Sequence, residues 1–270
     1  MHHGLSNIYM YAVSRIIVRI SNGISESILS GTGFFVKKDN GIFLITNRHI
    51  IQPEWSEVKY QGYKLVSVSF DCRSYNDSTK TVETENIPIK SFEVKYADNN
   101  KDDIACITNI ATNNNPQKVP ICMEYSMLAN SEHFEKDFSI CDQVAVIGFP
   151  VVYDHKNNMP VLRSGVISTD PRLDYSFDGN DNGHILGYEA FSTNGNSGSP
   201  VFAIQKGFKL GAGLRAPDGF YRPVMLIGIN AGSILSQPEG IHQQMSYMFK
   251  SDQIIKLIED TSNAIYIECK

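Results

Sequence analysis

Short apolar runs rich in Val, Ile, Phe and Tyr recur along the whole chain, and they constrain the fold more than any other feature. AVSRIIVRI, TGFFVKK, GIFLITNRHI, YKLVSVSF, SFEVKYA and DIACITNI come first; QVAVIGFPVVY, PVLRSGVIS, HILGYEAF, SPVFAI and VMLIGIN follow. Clusters of Gly, Asn, Asp and Pro separate them. β-branched and aromatic side chains suit a pleated, half-buried surface. So many short strands without helical stretches between them point to an all-β sandwich or barrel, not to alternating β-α units. The one segment with a clear helical period is SDQIIKLIED near the C-terminus. There Ile254, Ile255 and Ile258 share a face and Ser251 stands where an N-cap belongs. It reads as a packing cap.

A length of 270 residues fits one large unit or two small barrels, with enough residues to bury a core without disulfides. The polar stretch ATNNNPQKVP (111–120) reads as a connection and divides the chain into 1–120 and 121–270. KGFKLGAGLRAPDGFYRP (206–223) reads as a surface loop or long hairpin. A net charge of −5 without a Lys/Arg stripe argues against a nucleic-acid partner. No apolar run reaches the roughly 18 residues that cross a bilayer, so no membrane partner is expected. The opening MHHGLSNIYMYAVSRIIVRI lacks the basic, apolar and small-residue order of a secretory leader. The five cysteines, Cys72, Cys106, Cys122, Cys141 and Cys269, form no C-x-x-C pair. Cys106 and Cys141 sit in or beside apolar runs, as small buried hydrophobes do. These features lead us to expect a cytoplasmic protein in a reducing compartment.

Three segments carry candidate chemistry. In STNGNSGSPVF (192–202), glycines around Ser197 let the backbone turn sharply, so the N–H groups of Gly195 and Ser197 are able to face one oxygen. The same string also reads as an ordinary Gly/Ser/Asn turn between strands. In GTGFFVKKDNGIFLITNRHI (31–50), His49 ends an apolar strand preceded by a DNG hairpin turn; a lone His there is also compatible with a structural role. In KDDIACI, Asp102 and Asp103 precede an apolar strand, where a carboxylate is able to hold an imidazole in one tautomer.

His, then Asp, then Ser is the chain order of one of the known hydrolase triads. GTGFFV followed by LITNRHI resembles the strands that lead to the catalytic histidine in bacterial trypsin-like peptidases. DIA resembles the segment that supplies their aspartate, and GNSGSPVF their nucleophile turn. VAVIGFP (144–150), RSGVIS (163–168) and VMLIGIN (224–230) resemble strands of the second barrel. The likeness covers roughly residues 10 to 260 and is greatest to the disulfide-free bacterial branch that includes glutamyl endopeptidases and HtrA-type proteases.

This resemblance implies an all-β fold of two six-stranded antiparallel barrels with a C-terminal helix. It also implies a serine endopeptidase working through an acyl-enzyme, without a cofactor, on a protein or peptide substrate. Ser197 becomes the nucleophile, His49 the base and then acid, Asp103 its orienting carboxylate, and the Gly195 and Ser197 amides the oxyanion hole. Asp102 competes with Asp103, which is favoured because it directly precedes Ile104-Ala105. The resemblance places Phe191, Ser192, Asn230, Ala231, Gly232 and Ser233 at the substrate pocket.

The chain departs from the family in places. Asn196 stands before the nucleophile where secreted zymogens carry an aspartate that pairs with a new N-terminus, so activation by N-terminal cleavage is not expected. Phe191 puts no acid at the pocket base, and Asn230 replaces the histidine of glutamyl endopeptidases. An uncharged, small-to-medium residue before the scissile bond is therefore expected. DGNDNGHILGYE (178–189) also fits the calcium-loop pattern, with Asp178, Asn180, Asn182, Glu189 and the His184 carbonyl as ligands. An extended HILGYEAF opposes it, because about 3.3 Å per residue carries Glu189 more than about 10 Å from the others. The competing functional class is a catalytically silent or partner-activated protease-like binding module, with the loops at 171–183 and 206–223 as points of control. An esterase on the same scaffold is the nearer alternative.

Overall fold

The computed structural model describes residues 5–112, 119–207, 221–235 and 242–261. The centre of the 111–120 connection, most of the 206–223 loop, His2, His3 and Cys269 lie outside the described residues. The ends of that loop do meet, through an antiparallel bridge between Lys206 and Arg222.

The first sheet contains β1 (Val13–Ser21), β2 (Glu26–Lys38), β3 (Gly41–Thr46), β4 (Lys64–Asn76), β5 (Thr81–Tyr96) and β6 (Ala105–Thr112). These pair antiparallel in the order β1-β4-β5-β6-β3-β2, and β2 returns to β1 to close a six-stranded barrel. A further short strand, β7 (Cys122–Glu124), adds parallel to β2 from beyond residue 120. Alternation sends neighbouring side chains to opposite faces. Phe35, Leu44, Ala105 and Ile107 fill this barrel with Ile16, Val18 and Phe70. Their neighbours Phe34, Val36, Ile45 and Cys106 enter a second core shared with residues of the other barrel.

The second barrel closes as β10-β13-β12-β11-β8-β9. Its strands are β8 (Gln143–Gly148), β9 (Val161–Ile167), β10 (Ile185–Glu189), β11 (Pro200–Ala203), β12 (Met225–Leu235) and β13 (His242–Lys250). Val144, Val146, Leu186, Tyr188, Val201 and Met248 fill it. Ile147, Ile185, Phe202, Ile229 and Phe249 face the shared core, so the two barrels are welded by apolar packing along one seam.

Among the described residues four α-helices join the barrels: α1 (Ile8–Ala12), α2 (Arg48–Ile51), α3 (Ser131–Lys136) and α4 (Ser251–Glu259). α4 drives Ile254, Leu257 and Ile258 into the shared core, with Ile255 partly buried beside them. Ser251 is not its N-cap: Lys250 holds that position, and Ser251 is buried with its hydroxyl donating to the Ala129 carbonyl at 2.6 Å. α3 begins with a true cap, since the Asn130 side chain accepts from the His133 N–H and His133 Nδ1 accepts from the Asn130 N–H. His49 also departs from expectation: β3 ends at Thr46, and His49 stands in the single turn of α2 that follows. Among the described residues no helix is long and apolar enough to cross a membrane.

Candidate active site

β3 delivers the chain to Asn47, which is fully buried and extended, and α2 then turns His49 back toward the β5–β6 connection. Asp103 grips His49 at two points. The His49 backbone N–H donates to Asp103 Oδ1 at 2.9 Å, and Nδ1 lies 2.5 Å from Oδ2. An ionised carboxylate only accepts, so Nδ1 carries the proton and Nε2 is left as the acceptor. Asn47 fixes the aspartate from behind, its Nδ2 donating to the Asp103 carbonyl at 2.6 Å. Burial works against the imidazolium, but the charge and hydrogen bond of Asp103, with a contribution from Glu57, outweigh it and raise the His49 pKa above 6.5.

Ser197 comes from the loop between β10 and β11 of the other barrel. Thr32 on β2 ties this loop across the seam: its N–H donates to the Ser197 carbonyl at 2.8 Å and its hydroxyl to the Gly195 carbonyl at 2.8 Å. The same hydroxyl accepts from the Phe149 N–H at 3.0 Å. Gly31, next in the chain, marks where α2 and the serine loop converge. A Cβ on Gly31 would lie 2.2 Å from the Ile50 side chain and 3.3 Å from the Ser197 carbonyl. The residue after His49 and the Ser197 backbone thus press on one point.

Within the loop the Asn196, Gly198 and Ser199 amides donate to the carbonyls of Thr193, Asn230 and Asn196, each at 3.0 Å. The N–H groups of Gly195 and Ser197 have no acceptor among the described residues, so both donors are unspent. Gly195 and Gly198 have φ of +93° and +85°, conformations that side chains resist. A Cβ on Gly198 would also sit 1.9 Å from the Thr32 carbonyl. Gly198→Ala should therefore cost about 3 kcal/mol in a denaturant melt, combining left-handed strain with a backbone clash. Wild-type stability would refute this local account.

A cleft of about 370 Å³ opens beside Ser197, between Ser192–Asn194 on one wall and Ala231–Ser233 on the other, with Val151 completing it. Two residues expected in its lining lie elsewhere. Asn230 is fully buried behind the wall, its amide donating to the Asn196 carbonyl at 2.8 Å and to Ser192 Oγ at 3.2 Å. Its carbonyl accepts from the Tyr188 hydroxyl at 2.6 Å. Asn230 is a clamp, not a lining group, because β12 turns its side chain toward β10 across the barrel. Phe191 is half-exposed under the Arg163 guanidinium, on a separate cleft of about 460 Å³ with Glu189 and Gly165.

The clamping roles of Thr32, Asn47 and Asn230 escape sequence reasoning. Their one signal is a polar side chain set inside or just after an apolar strand.

The calcium-pattern residues fall on two kinds of segment. Asp178 Oδ1 accepts from the Asn180 N–H in a local turn, whereas Glu189 ends strand β10. Among the described residues no group of three or more His, Cys, Asp or Glu side chains is placed to hold a metal. Asp102, the other candidate carboxylate, turns away from His49 and binds His184.

No curated protein sequence matches the chain. The sequence profile of the trypsin-like peptidase domain does match, over residues 31–211. That span is about two thirds of the chain and takes in His49, Asp103, Gly195 and Ser197. A profile match of that extent, on two closed β-barrels joined along one seam, places the chain in the trypsin-like peptidase domain family.

Proposed function

We propose that the protein is a serine endopeptidase with His49, Asp103 and Ser197 as its triad. The observation that carries this reading is the two-point grip of Asp103 on His49, which leaves Nε2 as the basic nitrogen. Ser197 Oγ attacks the scissile carbonyl as His49 Nε2 takes its proton. The Gly195 and Ser197 amides receive the developing oxyanion. The proton then passes to the leaving amine, and water hydrolyses the acyl-enzyme by the same steps in reverse roles. No cofactor takes part. Residues 1–120 carry the base and its partner and residues 121–270 the nucleophile.

Within the family we place the chain nearest the branch of glutamyl endopeptidases and HtrA-type proteases, acting in the cytoplasm on protein or peptide substrates. The buried thiols of Cys72 and Cys106, both pushed upward by burial, the first to about 12, suit a reducing setting. Among the described residues that line the cleft none is charged, so a buried ionised side chain finds no counter-ion among them. We expect small-to-medium uncharged residues before the cut, with Lys, Arg and Glu at least about tenfold worse in kcat/KM. A positional peptide library with mass-spectrometric mapping of the new termini tests both claims. Strong selection of Lys, Arg or Glu would overturn the pocket assignment, and absence of Ser197-dependent cleavage would overturn the activity.

A further inference from the structure

Asp102 and Asp103 are adjacent, yet they grip two different histidines in the same way. His184 donates its backbone N–H to Asp102 Oδ1 at 2.8 Å, and its Nδ1 lies 2.8 Å from Oδ2. Asp102 belongs to the β5–β6 connection of the first barrel, and His184 immediately precedes β10 of the second. The contact is built in. Asp102 is fully buried, and Gly183 takes φ +83° with its missing Cβ only 2.4 Å from Asp102 Oδ1. Lys101 and Asp181, 2.8 Å apart, bridge the same junction at the surface. None of these four side chains enters the proposed chemistry.

We propose that Asp102 is a positioning residue for His49: with His184 it clasps the two barrels and fixes the turn that presents Asp103. This rests on the serine-peptidase reading above. The turn itself is tight, with the Asp102 N–H donating to the Asn99 carbonyl at 2.9 Å and the Ile104 N–H to the Asp102 carbonyl at 2.9 Å. It sends the two carboxylates to opposite barrels. Asn47 holds the Asp103 carbonyl, and His184 holds the residue before it, so the Asp103 carboxylate is located from both sides. A fully buried carboxylate has to be hydrogen-bonded to be tolerated, which makes His184 the partner that keeps the turn in register. Misplacing a catalytic group by about 1 Å costs on the order of 100-fold.

The test compares Asp102→Ala, Asp102→Asn and His184→Ala by kcat and KM on a cleaved peptide, by thermal melting, and by the far-downfield proton resonance of His49 Nδ1–H. Asp102→Ala should lower kcat on the order of 10- to 100-fold at nearly constant KM, and shift or broaden that resonance. Asp102→Asn should return kcat to within about 3-fold, since its carboxamide still accepts from the His184 N–H and donates to Nδ1 in the other tautomer. Losses from the Asp102→Ala and His184→Ala changes should not add, because each breaks the same contact. If Asp102→Ala does not fold, His184→Ala, which keeps the backbone bond, carries the same comparison. A folded Asp102→Ala or His184→Ala variant with wild-type kcat and resonance would overturn the proposal, as would Asp102→Asn impaired as deeply as Asp102→Ala. A wild type that neither cleaves peptide nor reacts with a fluorophosphonate refutes the peptidase reading, while the resonance still decides whether Asp102 positions His49.

Discussion

Replacing Ser197 with alanine is expected to lower peptide turnover on the order of 10⁶-fold while the protein stays folded. The two halves of that expectation have separate causes. The loop is held by its backbone and not by the hydroxyl. Thr32 donates to the Ser197 carbonyl, the Gly198 N–H donates to the Asn230 carbonyl at 3.0 Å, and the Asn230 N–H donates to the Ser199 carbonyl at 2.8 Å. Losing one hydroxyl therefore leaves every one of those bonds in place. On the proposed mechanism the chemistry, in contrast, loses its nucleophile, and residues that act as a unit fail together. A Ser197→Ala variant within tenfold of wild type, on a preparation free of contaminating peptidase, would assign the attack to another group.

The Asp103→Asn substitution is expected to lower kcat by about 10⁴-fold with little change in melting temperature. Asn keeps an oxygen for the His49 backbone N–H, which Asp103 Oδ1 now accepts at 2.9 Å. Its amide, though, donates toward Nδ1 and so favours the tautomer with the proton on Nε2. That nitrogen then has no lone pair for the Ser197 proton. The same change should move the pH profile. The base must be neutral, and the wild-type His49 pKa is raised above 6.5, so kcat/KM falls as pH drops through that raised value. Without the charge and hydrogen bond of Asp103, burial is opposed only by Glu57, and the acid limb should shift to lower pH. An acid limb that stays put would mean that another group sets it.

Much of the barrel architecture is legible in the sequence because most barrel strands carry their own apolar run. Phe34, Phe35 and Val36, for instance, must divide between two faces once extended, and they do. β13 is the barrel strand that hides, since HQQMSYMFK opens with polar residues and lacks β-branched ones. α1, α2 and α3 span only 5, 4 and 6 residues, too short to show a helical period. The contact between His49 and Asp103 is foreshadowed by motif and chain order. The pocket wall is not. Whether Asn230 faces the cleft or its back depends on Tyr188 across the barrel, a pairing 42 positions away in sequence. The calcium pattern shows a related limit: a string of ligand types says nothing about whether the chain between them turns or extends, and here residues 185–189 extend as β10. The Asp102–His184 contact is equally silent, because it links two loops that only the closed barrels bring together.

Reaction with a fluorophosphonate, followed by mass-spectrometric location of the adduct, tests the central claim most directly. The account predicts one equivalent bound at Ser197, abolished in Ser197→Ala and greatly slowed in Asp103→Asn. An adduct on another residue, or no adduct on a folded wild-type protein, would contradict it.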